Sequence, residues 1–214
     1  MLKLPTSTIV DKIVPKNSFD TYATPKQKKL LTAFVARIKW LYKLSNQTVN
    51  LQAKDVVEIQ VFELELKEKS NINELLVLIN KVVPYQILFV LRFNEEVMYS
   101  ISKKHAHPTN EHQAVVDWTF SSAWINVQED EFEITLSNSL DFVFQDLCFK
   151  ISGKHQGKGI DIETLIAKEQ QLKQLNSDIE KTQKAIERCR QFNKKVELQQ
   201  KLQKLLLDKT QLNK

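Results

Sequence analysis

Glu65-x-Lys67 closes the stretch VEIQVFELELKEK, Val57 to Lys69, and is the pair in this sequence most readily connected to a reaction. A carboxylate can hold a divalent cation, and a lysine two residues on can position or activate an attacking water. Such a site needs a second carboxylate. Asp55, Glu58 and Glu63 are the available acids, but all lie on the same run, so they converge on one ion only if the strand bends. The competing reading is a strand with Glu and Lys alternating on its wet face. Three histidines, His105, His107 and His112, lie beside Glu111 and could meet at one transition metal if their loop closes. Their spacing fits no compact ligand signature, and a polar surface loop around Pro108 is the plainer reading. No Ser-His-Asp or Cys-His arrangement can be assembled from the sequence.

The elements around these residues read as follows. Thr24 caps a helix that Pro25 opens, with Leu30, Leu31, Phe34, Val35 and Ile38 at helical spacing. Alternation from Ile38 predicts a strand, and SNQTVNLQAKD makes the return. In the next run Val57, Ile59 and Val61 take one phase and Phe62, Leu64 and Leu66 the other, which predicts a β-bulge or bend at Val61-Phe62. INELLVLINKVV is a short helix begun by Ser70 or Asn71 and ended by Pro84. YQILFVLRF is the most apolar strand and turns through NEE into VMYSISKKH. After the polar AHPTNEHQ, the segment VVDWTFSSAWINV gives one strand or two short ones. SLDFVFQDLCFKI returns to helical spacing through Leu140, Val143, Phe144, Leu147 and Ile151. The expected body, residues 1–152, is α+β: a mixed sheet of about five strands flanked by helices.

The remainder differs in kind. The chain has only three glycines, and all of them fall in GKHQGKG, so residues 153–160 read as a basic hinge. A phosphate-binding loop would run from a strand and end in Lys-Ser/Thr, whereas this one follows a helix and Lys158 precedes Gly159. Over 161–214, Leu165, Leu172, Leu175, Ile179, Thr182, Ile186 and Cys189 keep three-four spacing, and Leu198, Leu202, Leu205 and Leu212 resume it after RQFNKK. This predicts a C-terminal helical coiled-coil hairpin turning near Phe192-Asn193. One continuous helix that forms a homodimer through the coiled coil is the alternative.

Residues 153–214 hold 14 Lys or Arg against 8 Asp or Glu, while residues 1–152 hold 17 against 18. The net charge of +5 therefore resides in the tail. Lys154, Lys158, Arg188, Arg190, Lys194 and Lys195 are the candidates there for contact with nucleic acid, against the ordinary reading of mixed charge as a solvated helix surface. Neither a signal peptide nor a run of about 20 apolar residues is present, so the expected location is cytoplasmic, without a membrane anchor. Cys148 and Cys189 are isolated and expected as thiols.

Six blocks taken together, LKLP, IVPK, IKWLYKLSNQTVNL, VEIQVFELELK, VVPYQILFVL and RCRQFNKKVEL, resemble the bacterial family known as domain of unknown function 4391. The resemblance runs over nearly the whole chain and carries no catalytic residue across. Its implied setting is restriction-modification or phage-defence gene clusters, beside a helicase or DNA methyltransferase. The leading expectation is accordingly a non-catalytic accessory subunit that docks on such a partner from the same operon and needs no cofactor. A nuclease of the PD-(D/E)xK type, built on Glu65 and Lys67 with Asp55 or Glu58 and requiring Mg²⁺, is the second. A nucleic-acid-binding module using the basic tail is the third.

Overall fold

The computed structural model describes residues 2–154 and 161–212, with the backbone alone at 110–112. The chain divides into two compact units, Met1–Gly157 and Lys158–Lys214.

The first unit is one mixed sheet with helices on both faces. Its strands are β1 (Ile9–Ile13), β2 (Val35–Ser45), β3 (Glu58–Leu66), β4 (Gln86–Phe93), β5 (Glu96–His107), β6 (Asn110–Ser121) and the short β7 (Ile125–Asn126). They lie in the order β1 to β6, with β7 on β5. All neighbours are antiparallel except β3 and β4. Parallel neighbours need a long crossover, supplied here by α3 (Asn73–Val82). α1 (Pro25–Phe34) precedes β2, α2 (Asn46–Val49) follows it, and α4 (Leu140–Ile151) closes the unit.

Local chemistry explains the boundaries. Thr24 and Gln27 form the full capping box of α1, with Pro25 at its first position. Asn94, at φ 51°, turns β4 into β5 in the left-handed region that Asn tolerates. α3 begins at Asn73, two residues later than a Ser70 cap and one later than an Asn71 cap would place it, and Asn71 Oδ1 accepts from the Asn73 amide.

The phase change in β3 does not come from a bulge in β3. That strand pairs residue for residue with β4 from Ile59 to Glu65. The irregularities lie in β2, where Trp40 pairs with Phe62 and Tyr42 with Val61, leaving Leu41 as an extra residue, and Val35 pairs with Leu66 and Arg37 with Glu65, leaving Ala36 as another. Instead, the two apolar sets of β3 face opposite ways. Phe62, Leu64 and Leu66 enter a core with Ile87, Phe89 and Leu91 beneath α1 and α3. Ile59 and Val61 point to the other face, where α4 packs on β3, β5 and β6. The predicted stripe Leu140, Val143, Phe144, Leu147 and Ile151 is buried throughout.

Among the described residues seven strands form, two more than expected. β1 was hidden because five residues carrying Asp11 at φ 45° show no alternation. The histidine segment is also not a loop: β5 runs through His107 and β6 starts at Asn110, so only Pro108 and Thr109 turn.

The second unit is a hairpin of α5 (Ile162–Arg188) and α6 (Phe192–Leu212). Its turn, Cys189–Gln191, falls just before the predicted Phe192-Asn193. Asp161 caps α5 by accepting from the Thr164 amide. The predicted stripe turns inward, with Ile179 and Thr182 buried and Leu198, Leu202, Leu205 and Leu212 half-buried. No described helix is long and apolar enough to cross a membrane.

One buried charge sets a pH response. Lys104 is 5% exposed, and its Nζ donates to the carbonyls of Asn80 (3.0 Å) and Val83 (2.6 Å) at the end of α3. Burial pushes its amine down to about 7. Between about pH 7 and its ordinary value of 10.5, the unfolded chain holds the extra proton, so folded stability rises with pH. Lys104→Met removes that response. Urea unfolding should show the difference between variant and wild type shifting in favour of wild type from pH 7 to pH 9.5. A gap that stays constant with pH would contradict this.

Candidate functional site

Beyond the reach of α4, the same face of the sheet carries charge instead of apolar side chains. Antiparallel register sets Arg37 opposite Glu65 and Lys39 opposite Glu63, and parallel register sets Glu65 beside Arg92. The pairs that form are Arg37–Glu65 at 2.8 Å, Lys39–Asp11 at 2.9 Å and Arg92 Nε–Glu63 at 2.6 Å. Opposite charges across a strand pair support register, each contributing about 0.2–1 kcal/mol. Asp11 reaches Lys39 because the β1 register shifts between Ile9 and Lys12.

A segment after β7 forms one wall of the cavity above this face. The Tyr99 hydroxyl donates to Asp130 Oδ2 at 2.6 Å, and its ring stacks on Phe132 at 3.9 Å between centroids. Lys3 pairs with Glu133 at 2.8 Å. Between sheet and segment lies a cavity of about 900 Å³, with Asp11, Lys39, Glu63, Arg92, Tyr99 and Asp130 among its lining. That is the size of a small-molecule site. Burial, followed by the hydrogen bond to Asp130, drives the Tyr99 phenol far above its ordinary value. The cations each meet a carboxylate, so a polar ligand would enter by exchanging partners with them.

The residues singled out in the sequence do not meet there. Glu65 is held by Arg37, and Lys67 Nζ donates to the Thr32 carbonyl at 2.7 Å. Glu58 lies on the opposite face of β3, roughly 23 Å along the strand by its rise. There it accepts from Gln60 at 2.6 Å and pairs with Lys43 at 2.9 Å. Asp55 is in the preceding loop, where its amide donates to Asp141. The bend that would have gathered these acids is absent from β3.

His105 Nδ1 lies 2.8 Å from Asp117 Oδ1 across the β5–β6 pair, while His107 Nδ1 accepts from the Thr109 amide at 3.3 Å. The side chains of Glu111 and His112 lie outside the described residues. Among those described, no three His, Cys, Asp or Glu side chains could together hold a metal ion. Both cysteines are free, and burial pushes the Cys148 thiol up.

Of the tail cations, Lys158 and its neighbours at 155–160 lie outside the described residues, and Lys154 follows Gly153 at the end of the first unit. Arg188, Arg190, Lys194 and Lys195 come together at the hairpin turn, all exposed.

Sequence reasoning missed Asp11, Lys39, Arg92, Tyr99 and Asp130. The signal for Lys39 was present: pairing the alternating run from Ile38 antiparallel to ELEL places Arg37 and Lys39 against Glu65 and Glu63. Asp130 had no such signal, because the segment after β7 lacks periodicity.

Fold and surfaces define a two-part protein, an α+β body bearing a polar cavity and a long helical hairpin with a cationic turn. The chain belongs to the family described as Domain of unknown function (DUF4391), whose model matches residues 2–207. Neither a search of curated proteins nor a search of solved structures finds a match.

The Tyr99–Asp130 bond gives a direct test. The chain has four tyrosines, Tyr22, Tyr42, Tyr85 and Tyr99. Ultraviolet titration of phenolate between pH 9 and 11 should give the same amplitude for wild type and Tyr99→Phe, because Tyr99 does not ionise there. A smaller amplitude in the variant would show Tyr99 ionising in that range and contradict this. Stability should fall by about 1 kcal/mol on losing the hydrogen bond.

Proposed function

We propose that this protein is a non-catalytic accessory subunit of a bacterial DNA restriction-modification or phage-defence system. In this reading its hairpin docks on a larger helicase or DNA methyltransferase.

The observation that carries the reading is the shaft of α6. Leu206 and Leu207 are 44% and 63% exposed on a helix whose other leucines, Leu198, Leu202, Leu205 and Leu212, turn inward. Exposed adjacent leucines gain nothing for the hairpin alone. They suit a partner groove that takes an amphipathic helix by its apolar anchors. Two helices of 27 and 21 residues present that surface on a support stiffened by their mutual packing. The DNA-modification setting is what the family resemblance implies.

The test is affinity capture of the tagged chain from its native operon with mass spectrometry of what accompanies it. Wild type should bring down a helicase or methyltransferase. Leu207→Asp should reduce capture about tenfold or more, as truncating a central anchor does, with helix content by circular dichroism unchanged. Capture of no such protein by wild type, or undiminished capture by the variant, would remove the reading.

A further inference from the structure

The turn of the hairpin is chemically unlike its shaft. Within Glu187–Lys195 stand four cations, Arg188, Arg190, Lys194 and Lys195, against the single acid Glu187. All four are exposed, and none forms an ion pair among the described residues. Among them is Phe192, at 79% the most exposed large hydrophobic side chain described.

Folding accounts for little of this. Arg188 sits in the last turn of α5, where the helix dipole favours a cation. Lys194 and Lys195 are in the first turn of α6, where the dipole disfavours them, and that turn holds no acid to offset them. Phe192 opens α6 with its ring in water, although a three-residue turn needs no aromatic at that position. The turn is fixed by its own bonds: the Cys189 amide donates to the Ile186 carbonyl at 3.3 Å and the Lys195 amide to the Gln191 carbonyl at 3.0 Å. Folding therefore holds the exposed ring and uncompensated cations on a short, ordered support.

We propose that the hairpin turn is a binding site for single-stranded DNA, in which Arg188, Arg190, Lys194 and Lys195 take backbone phosphates and Phe192 stacks on an unpaired base. Helices packed about 8–10 Å apart bring both sides of the turn within reach of successive phosphates of one strand. A base offers its face to an aromatic ring only when it is unstacked, which selects a single strand over a closed duplex. The choice of DNA rests on the DNA-modification setting proposed above. The site is separate from Leu206 and Leu207, about 20 Å further along α6 by helix rise.

Fluorescence anisotropy with the purified full-length chain tests this, using a labelled 20-nucleotide DNA strand, the same sequence as duplex, and its RNA counterpart. The DNA strand should bind more tightly than either, with log affinity falling against log salt at a slope near −3 for four phosphates. Phe192→Ala should weaken strand binding about tenfold while leaving that slope unchanged, and Phe192→Trp should restore it. Arg188→Ala/Arg190→Ala should flatten the slope by about half. Absence of binding, a preference for duplex or RNA, or an unaffected Phe192→Ala variant would each overturn the proposal. Loss of partner capture in Phe192→Ala with strand binding intact would overturn it too, by assigning the ring to a protein. The docking reading fails separately, through Leu207→Asp, which should leave strand binding at wild-type strength.

Discussion

β3 is covered from opposite sides at its two ends, and most of the first unit follows from that arrangement. At one end Ile59 and Val61 face α4; at the other, Phe62, Leu64 and Leu66 face α1 and α3. Fully burying each such side chain contributes about 1.5–3 kcal/mol. A one-residue slip of β3 would turn both sets outward together. The register of β3 is therefore fixed from both faces. β2 has to accommodate it, which it does by carrying Ala36 and Leu41 as extra residues.

Where one face loses its helix, polar side chains become affordable only in pairs. Glu63 and Glu65 continue the Ile59–Val61 face of β3 past α4, and Arg92 and Arg37 meet them there. The cavity forms at the same place for the same reason, because the segment carrying Asp130 and Phe132 lies over the sheet without filling it. Asp141 performs a related task at the start of α4. Burial alone would raise its pKa, but the amides of Val56, Lys54 and Asp55 donate to its carboxylate and hold it low. That clamp ties the loop entering β3 to the helix that covers it, so strand and cover are positioned together.

This geometry explains what the sequence disclosed and what it did not. α1 was legible from Thr24 and Pro25, and α4 from its stripe, because capping and helical spacing are local. The two phases of β3 were also legible, but their cause was not. A change of phase can mean a bulge within the strand or a change of the covered face, and only the neighbouring elements distinguish these. β1 and the segment bearing Asp130 were silent, since their order comes from long-range bonds such as Tyr99–Asp130 and Lys39–Asp11. The polar cavity was consequently invisible, although Glu63 stood within the first stretch considered. The hairpin was the most legible part, because its stripe depends on a partner helix only three residues away.

The two units spend charge differently. In the body, Arg37 and Lys39 of β2 and Arg92 of β4 have carboxylates at 2.6–2.9 Å, so their fields are largely cancelled before reaching solvent. At the hairpin turn, Glu187 is the single acid against four cations, and the nine residues 187–195 carry a net charge of +3. Exposed charges within a Debye length of about 8 Å add their potentials, so on the proposed reading a polyanion would meet net positive charge at the turn and paired charge in the body. A polyanion arriving by charge alone would be drawn to the turn first.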